Sequence, residues 1–482
     1  MKRYRVCVVG AGWSGLAAAI YAVQAGHHVT VLEASRSLGG RARTLPASAD
    51  GLLPDGSAAT LDNGQHILLG AYRETLDLMR TVGLDPAQTL LRQPLGLRFA
   101  DGDGLQLPDW PQPWNLMAGL LMASGWNMGD KRSLVRALRL WRKNRFECSA
   151  QTSVAELCQG IHSAVVEDLI NPLCISALNT PPQLASGQVF LTVLHDSLFA
   201  KVRKKKKTDM TAGFDALSLV DQTAGATAEA TPWRAAGSDL LLPTVDLGAL
   251  LPQAAAAWLT EHGASVQLGR RAACPQWSGG QWQIDGEGFD RVIWATAPQH
   301  AVQAFSEYLP LAPKNLGLHL QRWLRPAKAM RYQSIATVYA HAPGLVLPRP
   351  MVALRSSPLA PAQFAFDRGQ LGGPPGLLAL VVSAPQGEYE QLESMVLAQA
   401  EDQLEEWLDG QRLSAIRTVM EKQATFSCAA RMVRPPQQVA PGLMACGDYL
   451  YKPYPATLEG AVRSGIMAAL ALDETEGFVW KD

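Results

Sequence analysis

Arg5-Val-Cys-Val-Val-Gly-Ala-Gly-Trp-Ser-Gly-Leu16 is an apolar run that breaks into three glycines, Gly10, Gly12 and Gly15. A small-residue helical segment follows, Leu16 to Ala25, and then a second apolar run, His28-Val-Thr-Val-Leu-Glu33. The order is strand, glycine turn, helix, strand, acid. Gly10 permits the tight bend out of the strand, Gly12 lets a pyrophosphate approach the backbone, and Gly15 lets the helix pack on the strand. The helix start offers unpaired N–H groups and the positive end of a dipole to phosphates. Glu33, ending the second strand, can accept hydrogen bonds from ribose hydroxyls. Glycine turns also arise for structural reasons alone, but in this context the pattern implies a dinucleotide site.

The bulk properties narrow the surroundings of that site. At 482 residues the chain predicts two domains or more. Lysine plus arginine and aspartate plus glutamate each total 43, and a net charge of zero argues against nucleic acid as a partner. Seven cysteines without CxxC or Cys/His spacing fit reduced thiols in a cytoplasmic setting, and no metal site is expected. No secretory signal precedes the first strand. The most apolar stretch, Trp114 to Met128, is too short and too interrupted by polar residues and glycines to span a membrane.

Further along, Leu61-Asp-Asn-Gly-Gln-His-Ile-Leu-Leu-Gly70 contains an Asn-Gly turn signal, with His66 in an apolar flank. Such a histidine reads either as a satisfied core residue or as a site residue. Pro and Trp cluster in Leu107 to Trp114, and a cationic amphipathic segment runs from Lys131 to Arg145. These read as a substrate-domain helix pair with a solvated basic face. They also read as an interfacial surface, because Trp and Leu beside Lys and Arg suit a bilayer headgroup region. Lys201 to Lys207 is the one strong charge block, and 200–237 reads as a basic, exposed loop. Strand and helix signals return after Asp239. Near the end, Gly442-Leu-Met-Ala-Cys-Gly-Asp448 reads as a strand ending in Gly447-Asp448, with a helix starting near Thr457. Asp448 can bind a sugar or polyol hydroxyl, and the N–H groups at Thr457 and Leu458 can face a ligand edge that carries negative charge.

Gly39-Gly40-Arg41 after Glu33, with the Asp62 and Asp448 stretches, resembles the flavoprotein superfamily of monoamine oxidases, phytoene desaturases and protoporphyrinogen oxidases. The resemblance implies FAD, with Gly40 and Arg41 near its pyrophosphate or flavin. It also implies that Gly64 gives the ring backbone clearance, that Gln65 or His66 faces the site, and that residues near Val266 cover the adenine. The implied fold is α/β: a Rossmann-like FAD-binding domain with an inserted α+β substrate domain and a helical subdomain. The expected parts are 1–75, 239–300 and 431–482 for the FAD domain, 76–238 for the helical subdomain, and 301–430 for the substrate-domain sheet.

Asp62-Asn-Gly-Gln-His-Ile-Leu-Leu-Gly-Ala-Tyr72 and Asp239-Leu-Leu-Leu-Pro243 further resemble the hydroxysqualene dehydroxylases of bacterial hopanoid biosynthesis. That resemblance implies reduction of an apolar C30 isoprenoid alcohol, with Asp62 and His66 as acid candidates. The implied partner is an upstream squalene-pathway synthase, and the interfacial reading of the apolar and basic stretches would add contact with the inner face of the cytoplasmic membrane. Amine oxidases of the superfamily carry an aromatic residue just before the final helix, where this chain has Ala456-Thr457. Its absence argues against amines without separating a dehydroxylase from a desaturase. No second GxGxxG is visible, so the electron donor is unidentified.

Overall fold

In the computed structural model, residues 2–46, 51–199, 235–385, 389–451 and 453–473 are described. The chain opens with β1 (Arg5–Val9), α1 (Trp13–Gln24) and β2 (His28–Glu33). α1 starts three residues before the stretch expected from composition. Gly12 is extended and serves as its N-cap, so Gly15 lies within the first helical turn. Next come α2 (Arg73–Thr81) and a helical region with α3 (Trp114–Met122) and α4 (Met128–Lys143). α4 begins on a reciprocal cap: the Asn127 side chain accepts from the Asp130 N–H while the Asp130 carboxylate accepts from the Asn127 N–H.

The chain then supplies β3 (Ser265–Leu268) and β4 (Arg291–Trp294), followed by β5 (Tyr332–His341), β6 (Met351–Ala353), β7 (Phe364–Asp367) and β8 (Leu377–Ser383). α5 (Leu392–Gln403) and β9 (Ser414–Phe426) complete that part. β10 (Gln438–Ala440), β11 (Leu443–Ala445) and α6 (Leu458–Leu470) follow.

Two large sheets result. The first has the order β10-β11-β4-β1-β2-β3 and is parallel except for β10, so its strands come from three separate stretches of chain. Its central strands are buried on both faces, as parallel strands covered by helices must be. α1 lies against this sheet and against α6. A Cβ on Gly465 would fall 2.1 Å from the Ser14 carbonyl oxygen, so only a glycine lets α6 approach α1 this closely. The second sheet is antiparallel, β6-β7-β8-β5-β9, with α5 burying Leu392, Val396 and Ala400 against its apolar face.

The basic loop expected at 200–237 lies outside the described residues, apart from its last three. Among the described residues no helix is long and apolar enough to cross a membrane, and no acid, His or Cys cluster could hold a metal. All seven cysteines are free thiols.

Candidate functional site

The glycine turn is built as its spacing requires. Gly10 has φ +109°, and a Cβ there would meet the Ala295 carbonyl oxygen at 2.9 Å. One on Gly15 would overlap the Gly10 carbonyl oxygen at 1.9 Å. Gly12, by contrast, faces open space, with the Gly40 Cα as its nearest neighbour at 3.9 Å. Gly12 carries no capping side chain, so the first N–H groups of α1 have no side-chain acceptor at the cap. Glu33 sits beside them at the end of β2. Its carboxylate accepts from the Ala11 N–H at 2.7 Å and the Ser35 N–H at 2.8 Å, which fixes it against the turn. Val266 is half-buried on β3, paired with Val31 of β2. An open backbone face, uncapped helix N–H groups and a fixed acid fit the adenosine and pyrophosphate half of FAD.

The other half of the site joins the chain's two ends. Arg41 donates to Asp448 at 2.6 Å and to the Ala424 carbonyl at 2.7 Å. Burial works against the guanidinium charge, but Asp448, Glu421 and Tyr332 more than compensate and hold its pKa above the ordinary value. Gly447 leads into Asp448 and its N–H donates to the Ser464 hydroxyl of α6. Thr457 is the N-cap of α6, accepting from the Gly460 N–H at 3.0 Å; the N–H of Leu458 opens the helix. The buried hydroxyls of Thr337 and Tyr449 have no partner among the described residues, so each retains capacity for a polar ligand.

Between these halves lies the 62–66 loop. The Asn63 amide donates to the Arg41 carbonyl and to Glu421, both at 3.0 Å. Buried Arg368 donates to Gln65 at 3.0 Å. A Cβ on Gly64 would meet nothing nearer than the Thr337 hydroxyl at 3.7 Å, so the backbone there offers clearance. His66 is half-buried, with Nδ1 3.0 Å from the Gly64 carbonyl. That carbonyl can only accept, so Nδ1 carries the hydrogen. Burial lowers the ring's pKa and Arg41 lowers it further, so the neutral ring offers Nε2 as an acceptor.

Asp62 is buried, and its Oδ1 accepts from the Leu247 N–H and lies 3.0 Å from the Thr44 hydroxyl. The same hydroxyl stands 2.5 Å from Asp246 Oδ1 and accepts from the Gly248 N–H. One hydroxyl hydrogen cannot serve two carboxylates, so a proton on one of them completes the network. Burial pushes the Asp62 carboxyl up to about 6, against the stabilising Leu247 N–H, Arg368 and Thr44.

Sequence reasoning missed Thr44, Asp246, Arg368 and Glu459. Glu459 is fully buried on α6 and accepts from the Glu74 and Thr75 N–H groups and the Thr75 hydroxyl. It thereby caps α2, whose own N-cap Tyr72 makes no side-chain bond. An acid in the first turn of α6 was visible, but its partner 384 residues away was not.

A family model described as flavin containing amine oxidoreductase matches residues 13–472. Hydroxysqualene dehydroxylase of Rhodopseudomonas palustris is 26% identical over 488 residues, covering 96% of this chain and 97% of that one. Hydroxyneurosporene desaturase of Cereibacter sphaeroides is 43% identical over 108 residues, 21% of this chain and 20% of its own. An oxidoreductase from Methanosarcina mazei superposes with a TM-score of 0.64 at 14% identity, covering 97% of this chain and 99% of that one.

Proposed function

The chain belongs to the flavin-containing amine oxidoreductase family, and from that premise we propose that it reduces hydroxysqualene, an allylic C30 alcohol, to squalene. It is an FAD-dependent oxidoreductase, and the particular reaction is our reading. The observation that carries this reading is the similarity to the Rhodopseudomonas palustris dehydroxylase over nearly the full length of both chains. The loop before α6 supports an apolar ligand over an amine. Ala456 and Thr457 offer no ring, and the hydroxyl of nearby Tyr454 donates to Asp196 at 2.5 Å while Arg463 covers its ring at 4.9 Å.

When bound in reduced form, FAD supplies the hydride that replaces the hydroxyl. The turn at Gly10, Gly12 and Gly15 and the start of α1 would hold its pyrophosphate, with Gly40 opposite Gly12, and Glu33 would hold the ribose. Val266 would cover the adenine side. Arg41 and Asp448 after Gly447 would hold the ribityl chain. The helix start at Thr457 and Leu458 would meet the pyrimidine edge, and Gly64 would leave room for the ring. We assign the proton for the departing hydroxyl to Asp62, which burial keeps protonated to a higher pH than an ordinary aspartate. His66, neutral with Nε2 free, accepts a hydrogen bond and orients the hydroxyl. The C–O bond breaks with loss of water, and the allylic carbon gains the hydride. Exclusion of bulk water protects the cation from recapture.

The test is anaerobic mixing of chemically reduced holoenzyme with hydroxysqualene. Flavin reoxidation with matching formation of squalene is expected, and kcat/KM should fall as pH rises through about 6. Asp62→Asn should retain flavin and lose on the order of 10²–10⁴-fold in turnover. The desaturase reading draws on the local match to the Cereibacter sphaeroides enzyme, which spans 21% of this chain. A more unsaturated polyene made by the oxidised enzyme, with no squalene from the reduced one, would establish that reading instead.

A further inference from the structure

α3 presents several of its large apolar residues outward. Asn115, Gly119 and Leu120 form its buried side, where a Cβ on Gly119 would overlap the Leu107 side chain at 2.4 Å. Trp114, Met117 and Leu121, at spacings of three and four, point away from that side and are 62%, 53% and 68% exposed. Trp110 before the helix, Met122 at its end and Met128 at the start of α4 are also exposed. The nine residues of α3 include no charge. A solvated helix of a globular protein shows the opposite pattern, apolar side inward and charged side outward.

α4 continues this surface with cations. From Lys131 to Arg145 the chain carries seven basic residues and no acid. Arg132, Arg136, Arg139 and Lys143 recur at helical spacing on the exposed side, in line with Met128, while Leu134 and Trp141 are buried. Among the described residues none of these four cations has a carboxylate partner, although surface arginines elsewhere in the molecule do. The Lys131 ammonium closes the joint between the helices by donating to the Leu121 carbonyl at 2.7 Å. An uncharged Trp/Met/Leu face thus sits next to a stripe of cations that have no carboxylate partner among the described residues.

We propose that α3 and the exposed stripe of α4 form a docking surface for an anionic phospholipid bilayer. The α3 face enters the interfacial layer and the α4 cations meet lipid phosphates. The charge stripe selects an anionic surface, and the apolar face separates a bilayer from a nucleic acid, whose phosphates would leave Trp114 and Leu121 without a partner. This inference rests on the two helices alone and is independent of the reaction proposed above.

The holoenzyme is mixed with vesicles of phosphatidylcholine containing about 30 mol% phosphatidylglycerol, or of phosphatidylcholine alone, and sedimented. Binding to the anionic vesicles is expected, weakening with salt. Arg132→Gln/Arg136→Gln/Arg139→Gln should weaken it roughly a hundredfold, about fivefold per charge. Trp114→Gln/Leu121→Gln should weaken it at least tenfold, with flavin content unchanged in both variants because every altered side chain is exposed. Absence of binding by the full chain, or binding that neither variant alters, overturns the proposal. So does a dimer in solution that Trp114→Gln/Leu121→Gln dissociates without any change in vesicle binding, since α3 would then face a second copy.

Discussion

Asp62 shows how burial and hydrogen bonding act against each other at one carboxyl. Ionisation loses solvation in a site that is 5% exposed, and the Leu247 N–H, Arg368 and the Thr44 hydroxyl recover only part of that loss. A group whose pKa is raised on folding binds its proton more tightly in the native state. Its stabilising contribution is therefore complete below the unfolded value near 3.8 and is lost as pH rises through about 6. Asp62→Asn keeps an acceptor for the Leu247 N–H and removes the titration. The stability difference between the two proteins should move in favour of asparagine by on the order of 2–3 kcal/mol between about pH 4 and 7. Urea unfolding across that range measures it, and parallel profiles would show that Asp62 is ionised at no cost. His66 titrates the other way: burial lowers its pKa, so its ring stays neutral to a lower pH than an ordinary histidine.

At the scale of the elements, α2 and α6 depend on each other through one carboxylate. Glu459 reaches from the first turn of α6 to the uncapped N-terminus of α2 and also accepts from Arg463 at 2.6 Å. Glu459→Ala removes the acceptor from two backbone N–H groups and from the buried Thr75 hydroxyl, and the carboxylate partner from the Arg463 guanidinium. The expected cost is about 3–5 kcal/mol. It should appear as a lowered unfolding midpoint and faster FAD loss, with Glu459→Gln intermediate because it still accepts. Retention of FAD at the wild-type rate would separate α2 from the cofactor site. This pair also marks where the sequence stops being legible. β1, α1 and β2 could be read because each signal is local: an apolar run, a glycine step and a terminal acid within 29 residues. The start of α1 is less legible because Trp13 and Ser14 are poor indicators of a helix, and the extended Gly12 decides the boundary. Arg41 and Asp448 could each be singled out from neighbouring glycines. Their contact across 407 residues, and the network of Thr44, Asp62 and Asp246, depend on tertiary packing that no local pattern encodes.

Over the whole molecule, the two sheets are tied together at the candidate cofactor site. The FAD sheet takes strands from both ends of the chain and from its middle, and β5 and β9 of the second sheet hold the loop beneath the site. The Tyr339 hydroxyl of β5 donates to the Asp62 carbonyl at 3.0 Å, and Glu421 of β9 accepts from Asn63. Arg41 spans both sheets, bonding Asp448 after β11 and the Ala424 carbonyl within β9. A ligand gripping the turn at Gly12 and the loop at Gly64 therefore stabilises both sheets at once. Linkage fixes the size of the effect: free FAD at a hundred times its Kd adds about 2.7 kcal/mol to whatever unit must open before it leaves. The second sheet is bound to the first through the cofactor loop, so denaturation followed by flavin fluorescence and by far-UV circular dichroism should give one coincident transition. Excess FAD should move the entire transition upward. If the second sheet instead unfolds in a separate step indifferent to FAD, the contacts of Tyr339, Glu421 and Ala424 carry too little energy to couple it, and the site is held by the first sheet alone.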